Sequence, residues 1–336
     1  MAGLAGPFGG LGRLQATTLA LRVSRAAASA VRVGSPPWRP PVSIAAVAAR
    51  RRADLPAAER SRYDALLAGA ADPRGRGVLE RALAGGTPLP AIAALAGLWP
   101  ELTDRDRDQV GAPLAPAGGG SDVRLSDAPA RQSDQTTCGS TVLAMLAAAG
   151  DPLLALWLVT GRTVAGYRPR ELRAFGPAEL AEPDAAARFG AVQRAVKTAT
   201  GRGSLGPFAW PARFGTPPWG AARVARYPGA TFRQVMVDDT DAGELGALLD
   251  RADRALAVGV GVPLFTGGDL SSGPTTALPR HVVLLVPAAS SGTYTLFEPA
   301  GGALHHLARA ELLTPDGPRP ALGSWSHVCW AILPEA

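Results

Sequence analysis

One stretch restricts this chain more than any other. Residues 142–149 read Val-Leu-Ala-Met-Leu-Ala-Ala-Ala, closed by Gly150, with no polar side chain among them. A helix of that kind has no solvent face and has to lie inside a domain. It is entered from a polar loop, Arg131-Gln132-Ser133-Asp134-Gln135-Thr136-Thr137, through Cys138-Gly139-Ser140-Thr141. Thr136 or Thr137 suits the cap and Gly150 the stop. Cys138 then stands in the first turn, where free backbone N–H groups and the positive end of the helix dipole favour a nucleophilic sulfur. A structural cysteine belongs inside an apolar run rather than at a polar-to-apolar junction. Cys138 is therefore the candidate nucleophile.

The chain has 336 residues, 47% of them hydrophobic, enough for one large or two modest domains with a real core. Its two cysteines, Cys138 and Cys329, form no disulfide framework and no metal-binding spacing. The net charge of +6 is misleading: residues 1–53 hold eight Arg and no acid, so residues 54–336 sum to −2 (6 minus 8). Nucleic acid is not an expected partner. Lys197 is the only lysine, a compositional bias rather than a nucleic-acid signal. Apolar runs such as 153–159 are too short to cross a bilayer, so no transmembrane segment is expected.

Residues 1–53 read as a basic, disordered tail. A weak helix over 15–33 sets Leu19, Leu21, Val23 and Val31 against Arg22, Arg25 and Arg32. The sharper alternatives are an organellar transit segment or a membrane-surface helix. No apolar stretch follows the first positive charges or Arg50-Arg51-Arg52, so a secretory or twin-arginine signal does not fit, and the expected compartment is the cytoplasm.

Residues 54–111 read as a small module of three helices. Pro56 and Glu59 suit the first turn, with Tyr63, Leu66 and Leu67 on one stripe. Val78, Leu79 and Leu83 make the second helix, closed by Gly85-Gly86; Ile92, Leu95, Leu98 and Trp99 make the third. Residues 104–108 are a solvated charge run, and 112–124, with its prolines and glycines, a linker. Residues 125–336 form the main domain. Asp151-Pro152 opens a helix over 153–159, and another spans 184–200.

Residues 201–227 alternate prolines with Phe208, Trp210, Phe214 and Trp219. They read either as a long loop over the core or as a wall of a substrate cleft. Trp210, Trp219 and Gly139 are the candidate substrate-binding residues. Strands follow at 231–237, 258–265, 281–286, 293–298 and 326–333, with a helix at 241–257 and a polar loop at 266–279. Gly259-Val260-Gly261 is not followed by a helix, so it is no dinucleotide fingerprint and no cofactor is expected.

The strands 281–286 and 293–298 are joined by a hairpin loop at 287–292. A loop symmetric about residues 289 and 290 puts His281 directly opposite Glu298, on one face and within side-chain reach. A carboxylate there fixes the imidazole tautomer and turns the other nitrogen outward, as a cysteine nucleophile requires. Other candidates are weaker. Gln135 is close to Cys138 and shapes the loop, and Asp134 is a loop-stabilising residue. His305-His306 read as surface residues rather than metal ligands, and no metal site is expected. Cys329 reads as core, and Ser140 lies behind Cys138 within the first turn.

The order Gln132, Cys138-Gly139, His281, Glu298-Pro299 resembles the papain-like cysteine peptidases, and is most similar to their peptidase C39-like branch. In that branch Gln-x5-Cys-Gly opens the central helix, and a His-x-Val strand is followed one hairpin later by Asp-Pro. The resemblance covers residues 125–336. It implies an α+β fold with a central helix packed on an antiparallel sheet, here preceded by a helical module. It implies that Cys138 attacks a carbonyl, His281 shuttles the proton, Glu298 orients the ring, and Gln132 supplies a side-chain N–H to an oxyanion hole beside the Cys138 backbone N–H. Glu298 departs from the usual Asp or Asn by one methylene. The Cys138–His281 separation exceeds that of compact C39-like domains, and the Pro/Trp-rich segment accounts for the insertion. The expected activity is a thiol hydrolase acting on an amide bond of a peptide or protein. A transferase or deamidase uses the same residues, and a non-catalytic binding protein on the same fold is the alternative.

Overall fold

The computed structural model describes residues 15–28, 37–269, 279, 281–288, 292–314 and 316–336. The described chain is mixed α and β, 50% helix and 18% strand. Its organising element is α7 (Cys138–Gly150), following α1 (Ala16–Ala28), α2 (Ile44–Asp54), α3 (Ala57–Gly69), α4 (Pro73–Ala84), α5 (Leu89–Leu98) and α6 (Asp104–Gly111). Every residue of α7 except Ala149 is buried, as its lack of a polar face requires. Fully burying side chains such as Val142, Met145 and Leu146 contributes about 1.5–3 kcal/mol each.

The sheet has six antiparallel strands in the order β3 (Thr231–Met236), β8 (His327–Glu335), β4 (Val262–Gly267), β5 (His281–Val286), β6 (Thr293–Glu298) and β7 (Ala303–Ala308). A two-stranded ladder, β1 (Arg124–Leu125) with β2 (Ala128–Pro129), precedes the cysteine loop. Helix α7 packs on β5. β4 is buried on both faces, as is β5 but for Val286, which explains their nearly unbroken apolar sequences. The strand expected at 258–265 starts later: residues 258–261 turn through Gly259 at φ +88, and the strand begins at Val262. β7, with His305 and His306, was not anticipated.

Helices α8 (Pro152–Thr160) and α10 (Ala185–Gly201) match expectation. The Asp151 carboxylate accepts from the backbone N–H groups of Leu153 and Leu154, and Asp184 caps α10 in the same way. Between them lies the short α9 (Pro177–Leu180); α11 (Pro218–Val224), α12 (Ala242–Ala257) and α13 (Arg309–Leu313) complete the set. Among the described residues no single helix is long and apolar enough to cross a membrane.

The N-terminal third departs from expectation at two points. Residues 104–108 are not a free charge run but part of α6, capped by the Thr103 hydroxyl and paired through Asp104 and Asp108 with Arg74. The module thus has four helices after residue 56, and its apolar residues, Tyr63 and Ile92 among them, run continuously into the core around α7. The described parts of segment 1–53 are also not a loose tail. Serine 43 caps α2, whose Val47 and Ala48 pack on Ala84. The Trp38 indole N–H donates to the Pro334 carbonyl, and the Ala336 N–H to that of Arg39. On α1, Arg22 pairs with Asp238 at 2.6 Å. These partners lie some 200 to 300 residues away in sequence, so composition alone could not reveal them. Most of the loop expected at 266–279, and the tip of the loop at 287–292, lie outside the described residues.

Candidate active site

The loop before α7 is shaped by its own short side chains. One oxygen of Asp134 accepts from the backbone N–H and the hydroxyl of Thr136, at 2.6 and 2.5 Å. The Thr137 hydroxyl donates to the Asp134 carbonyl and accepts from the Asp134 N–H. Thr137 occupies the N-cap position, yet its side chain makes no cap bond. The first N–H groups of α7 are therefore not closed off by a capping hydroxyl. Ser140 is no rival nucleophile: it is fully buried, and its hydroxyl donates to the Thr137 carbonyl at 2.9 Å.

Helix α10 braces this loop from behind. The Gln193 amide, almost wholly buried, accepts from Ser133 N–H and donates to the Arg131 carbonyl, both at 2.8 Å. Lys197 donates to the Thr136 hydroxyl. Gln193 had no local sequence signal, since it looks like any polar residue on a helix.

His281, the first residue of β5, is 8% exposed, and Cys138 is 5% exposed. The Cys138 sulfur neighbours the ring on the same cavity lining, close enough to help raise its pKa. His281 Nε2 lies 2.6 Å from Glu298 Oε1. Burial disfavours the charged ring, but the interactions with Cys138 and Glu298 outweigh it and raise its pKa to about 9. Burial likewise pushes Glu298 upward; the bond from His281 and the N–H groups of Ala300 and Gly301, at 2.8 and 2.7 Å, more than reverse this and hold it below its ordinary value. The Pro-Ala-Gly-Gly turn after Glu298 is the signal that could have revealed those two donors.

The hairpin register differs from the symmetric one. Leu284 pairs with Phe297, Leu285 with Leu296 and Val286 with Thr295, a slip of two residues. His281 and Glu298 are thus diagonal neighbours rather than directly opposed. A slip of two keeps both side chains on one face, whereas a slip of one would have separated them. The extra methylene of Glu over Asp gives the reach that a diagonal pair needs.

A further residue had no anticipated role. Gly323, at φ +68, lies close against the imidazole: a Cβ there would fall 2.1 Å from His281 Cδ2 and 2.6 Å from Nε2. Only glycine allows that backbone approach.

Cys138 and His281 open onto a cavity of about 450 Å³ lined by Trp210, Phe214, Trp219, Phe265 and Trp330 among others. Of segment 201–227, residues within 210–219 form one wall of this cavity. Gln132 and Gly139 are not among the residues lining the cavity. The Gln132 N–H donates to the Pro299 carbonyl at 2.8 Å, and its side-chain oxygen is buried with no partner among the described residues. Gln135 lines the cavity instead. Gly139 is buried beneath Thr216, whose Cβ would lie 2.6 Å from a Cβ at 139. It therefore permits the close approach of the wall to α7 rather than touching the cavity.

Cys329 is core, its thiol donating to the Phe265 carbonyl at 3.3 Å. Among the described residues no three His, Cys, Asp or Glu side chains are placed to share a metal ion. A second cavity, of about 520 Å³, lies among α3, α4 and α5, where Asp72 is already engaged by Arg74 and Trp99. Comparison of the chain with protein-family models, with curated proteins and with solved structures gave no match.

Proposed function

We propose that this protein is a thiol hydrolase that cleaves an amide bond, with peptides as its substrate class, on a scaffold akin to the papain-like and C39-like peptidases. The observation that carries the reading is the Cys138 thiol and the His281 imidazole on the lining of an open cavity, with Glu298 bound to the ring at Nε2. In this reading His281 takes the proton of the Cys138 thiol, the sulfur attacks the carbonyl carbon and the C=O electron pair moves onto oxygen. The Cys138 backbone N–H, at the uncapped start of α7, steadies that oxyanion. Gln135 replaces Gln132 as the nearby polar side chain, because Gln135 lines the cavity. Collapse of the intermediate expels the amine, which takes a proton from the His281 imidazolium and leaves a thioester. His281 then removes a proton from water, and hydroxide attack on the thioester releases the acid and regenerates the thiol. Glu298, held by three donors, keeps the ring oriented throughout.

The test is to incubate the protein with a synthetic peptide mixture, quench in acid and weigh the intact chain. An acyl adduct on Cys138, absent from Cys138→Ala, together with new peptide termini, is the expected result. Peptides left intact, with the protein at its unmodified mass, would refute the reading.

A further inference from the structure

The geometry points to a substrate class for this site, an inference that rests on the hydrolase reading above. The cavity beside Cys138 is walled by aromatic rings from two directions. On one side Trp210 stands edge-on to Trp219, with centroids 5.3 Å apart, and to Phe214 at 5.9 Å. On the other, Phe265 and Trp330 are cross-strand partners on β4 and β8. A slot bounded in this way favours a flat or bulky apolar group and disfavours a hydrated charge.

The walls are electrostatically one-sided. Among the described residues no Asp or Glu lines the cavity. Residues 210–219, which supply the outer wall, hold Arg213 and no acid. Arg213 is exposed, stacks over the Phe214 ring at 4.8 Å, and makes no ion pair among the described residues. The carboxylate of the cysteine loop, Asp134, is turned onto Thr136 and lies 4.0 Å from Lys197. Two polar atoms in the wall, Trp210 Nε1 and Thr216 Oγ1, are buried with no partner among the described residues, and Thr216 is only 6% exposed. Each is a donor without an acceptor among them, a costly state that a ligand oxygen would relieve.

An aromatic slot, two donors unmet among the described residues, and the Arg213 guanidinium at the rim define the complement. The site takes an amide whose aromatic or bulky apolar side chain fills the slot and whose carboxylate reaches Arg213.

The test separates this inference from the hydrolase reading by using Cys138→Ala protein, in which binding survives without chemistry. Tryptophan fluorescence is titrated with N-acetylphenylalanine, its neutral amide, and N-acetylaspartate. N-acetylphenylalanine is expected to bind about tenfold more tightly than N-acetylaspartate, from the ring, and about fivefold more tightly than the amide, from the charge. Arg213→Glu, at an exposed position that the fold does not need, is expected to reverse the order of acid and amide. Equal binding of all three probes, or an order unchanged by Arg213→Glu, would overturn the inference. Selective binding in a protein that never acylates would uphold the slot and reject the hydrolase; turnover without selectivity would do the reverse.

Discussion

Two histidines in this protein begin strands, are buried and hold a carboxylate, yet only one is placed for chemistry. His281 opens β5 and is bound by Glu298; His327 opens β8 and is bound through Nδ1 by Asp239. Both rings are raised above their ordinary pKa, against the opposing effect of burial, by hydrogen bonds to their partners. The neighbours make the difference. His281 has a thiol as neighbour and an open cavity beside it. His327 has a second carboxylate instead, Asp269 at 3.6 Å, and α1 lies over the pair, with Thr18 reaching Asp239. The thiol two residues along, Cys329, is sealed in the core, where burial pushes its pKa far up. A histidine–carboxylate pair is thus ordinary structural hardware. A sulfur and a space for substrate turn one into a candidate catalytic unit.

The comparison breaks most sharply at the thiol and its base. Removing Cys138 or His281 should lower peptide turnover by about a thousandfold or more, measured as initial rate per folded molecule. Gly323→Ala comes next. Its methyl group would have to displace the His281 ring, and a shift of about 1 Å costs on the order of a hundredfold in rate. The thermal midpoint should move far less than the rate, because the clash falls on one side chain at the cavity.

His327→Ala should give the opposite pattern. It leaves Asp239 buried without its partner, a loss of about 3 kcal/mol in denaturant unfolding, while the rate per folded molecule stays unchanged. A rate that fell with His327 as it does with His281 would erase the distinction between the two pairs.

The smallest expected effect is on pH dependence. Because the folded His281 pKa is raised from 6.5 to about 9, the protonated ring stabilises the fold fully below pH 6.5. That contribution is lost as the pH rises toward 9 and beyond. Glu298, held below its ordinary value, loses its contribution at the acid end instead. The alkaline decline should flatten in His281→Ala, and in part in Cys138→Ala, since the sulfur is one cause of the raised value.

The parts of this arrangement that the sequence revealed were those set by local pattern. The buried helix was legible because eight successive residues carry no polar group. The face shared by His281 and Glu298 was legible because strand side chains alternate with period two, so even a misplaced register kept them together. What stayed hidden depends on contacts between distant segments. Gln193 braces a loop sixty residues earlier, Gly323 meets a ring forty-two residues earlier, and Asp239 finds His327 eighty-eight residues on. None has a local signature. Spacing along a loop does not say which of two glutamines lines the cavity, and it is Gln135 that does.

The most direct measurement of the central claim is the rate at which iodoacetamide labels each cysteine, read by peptide mass spectrometry at neutral pH, in wild type, His281→Ala and His327→Ala. Cys138 should react rapidly in wild type and His327→Ala, and at least about tenfold more slowly in His281→Ala, with Cys329 protected in all three. Equal Cys138 rates across the three proteins would contradict the account, because the imidazole would then be doing nothing for the sulfur beside it.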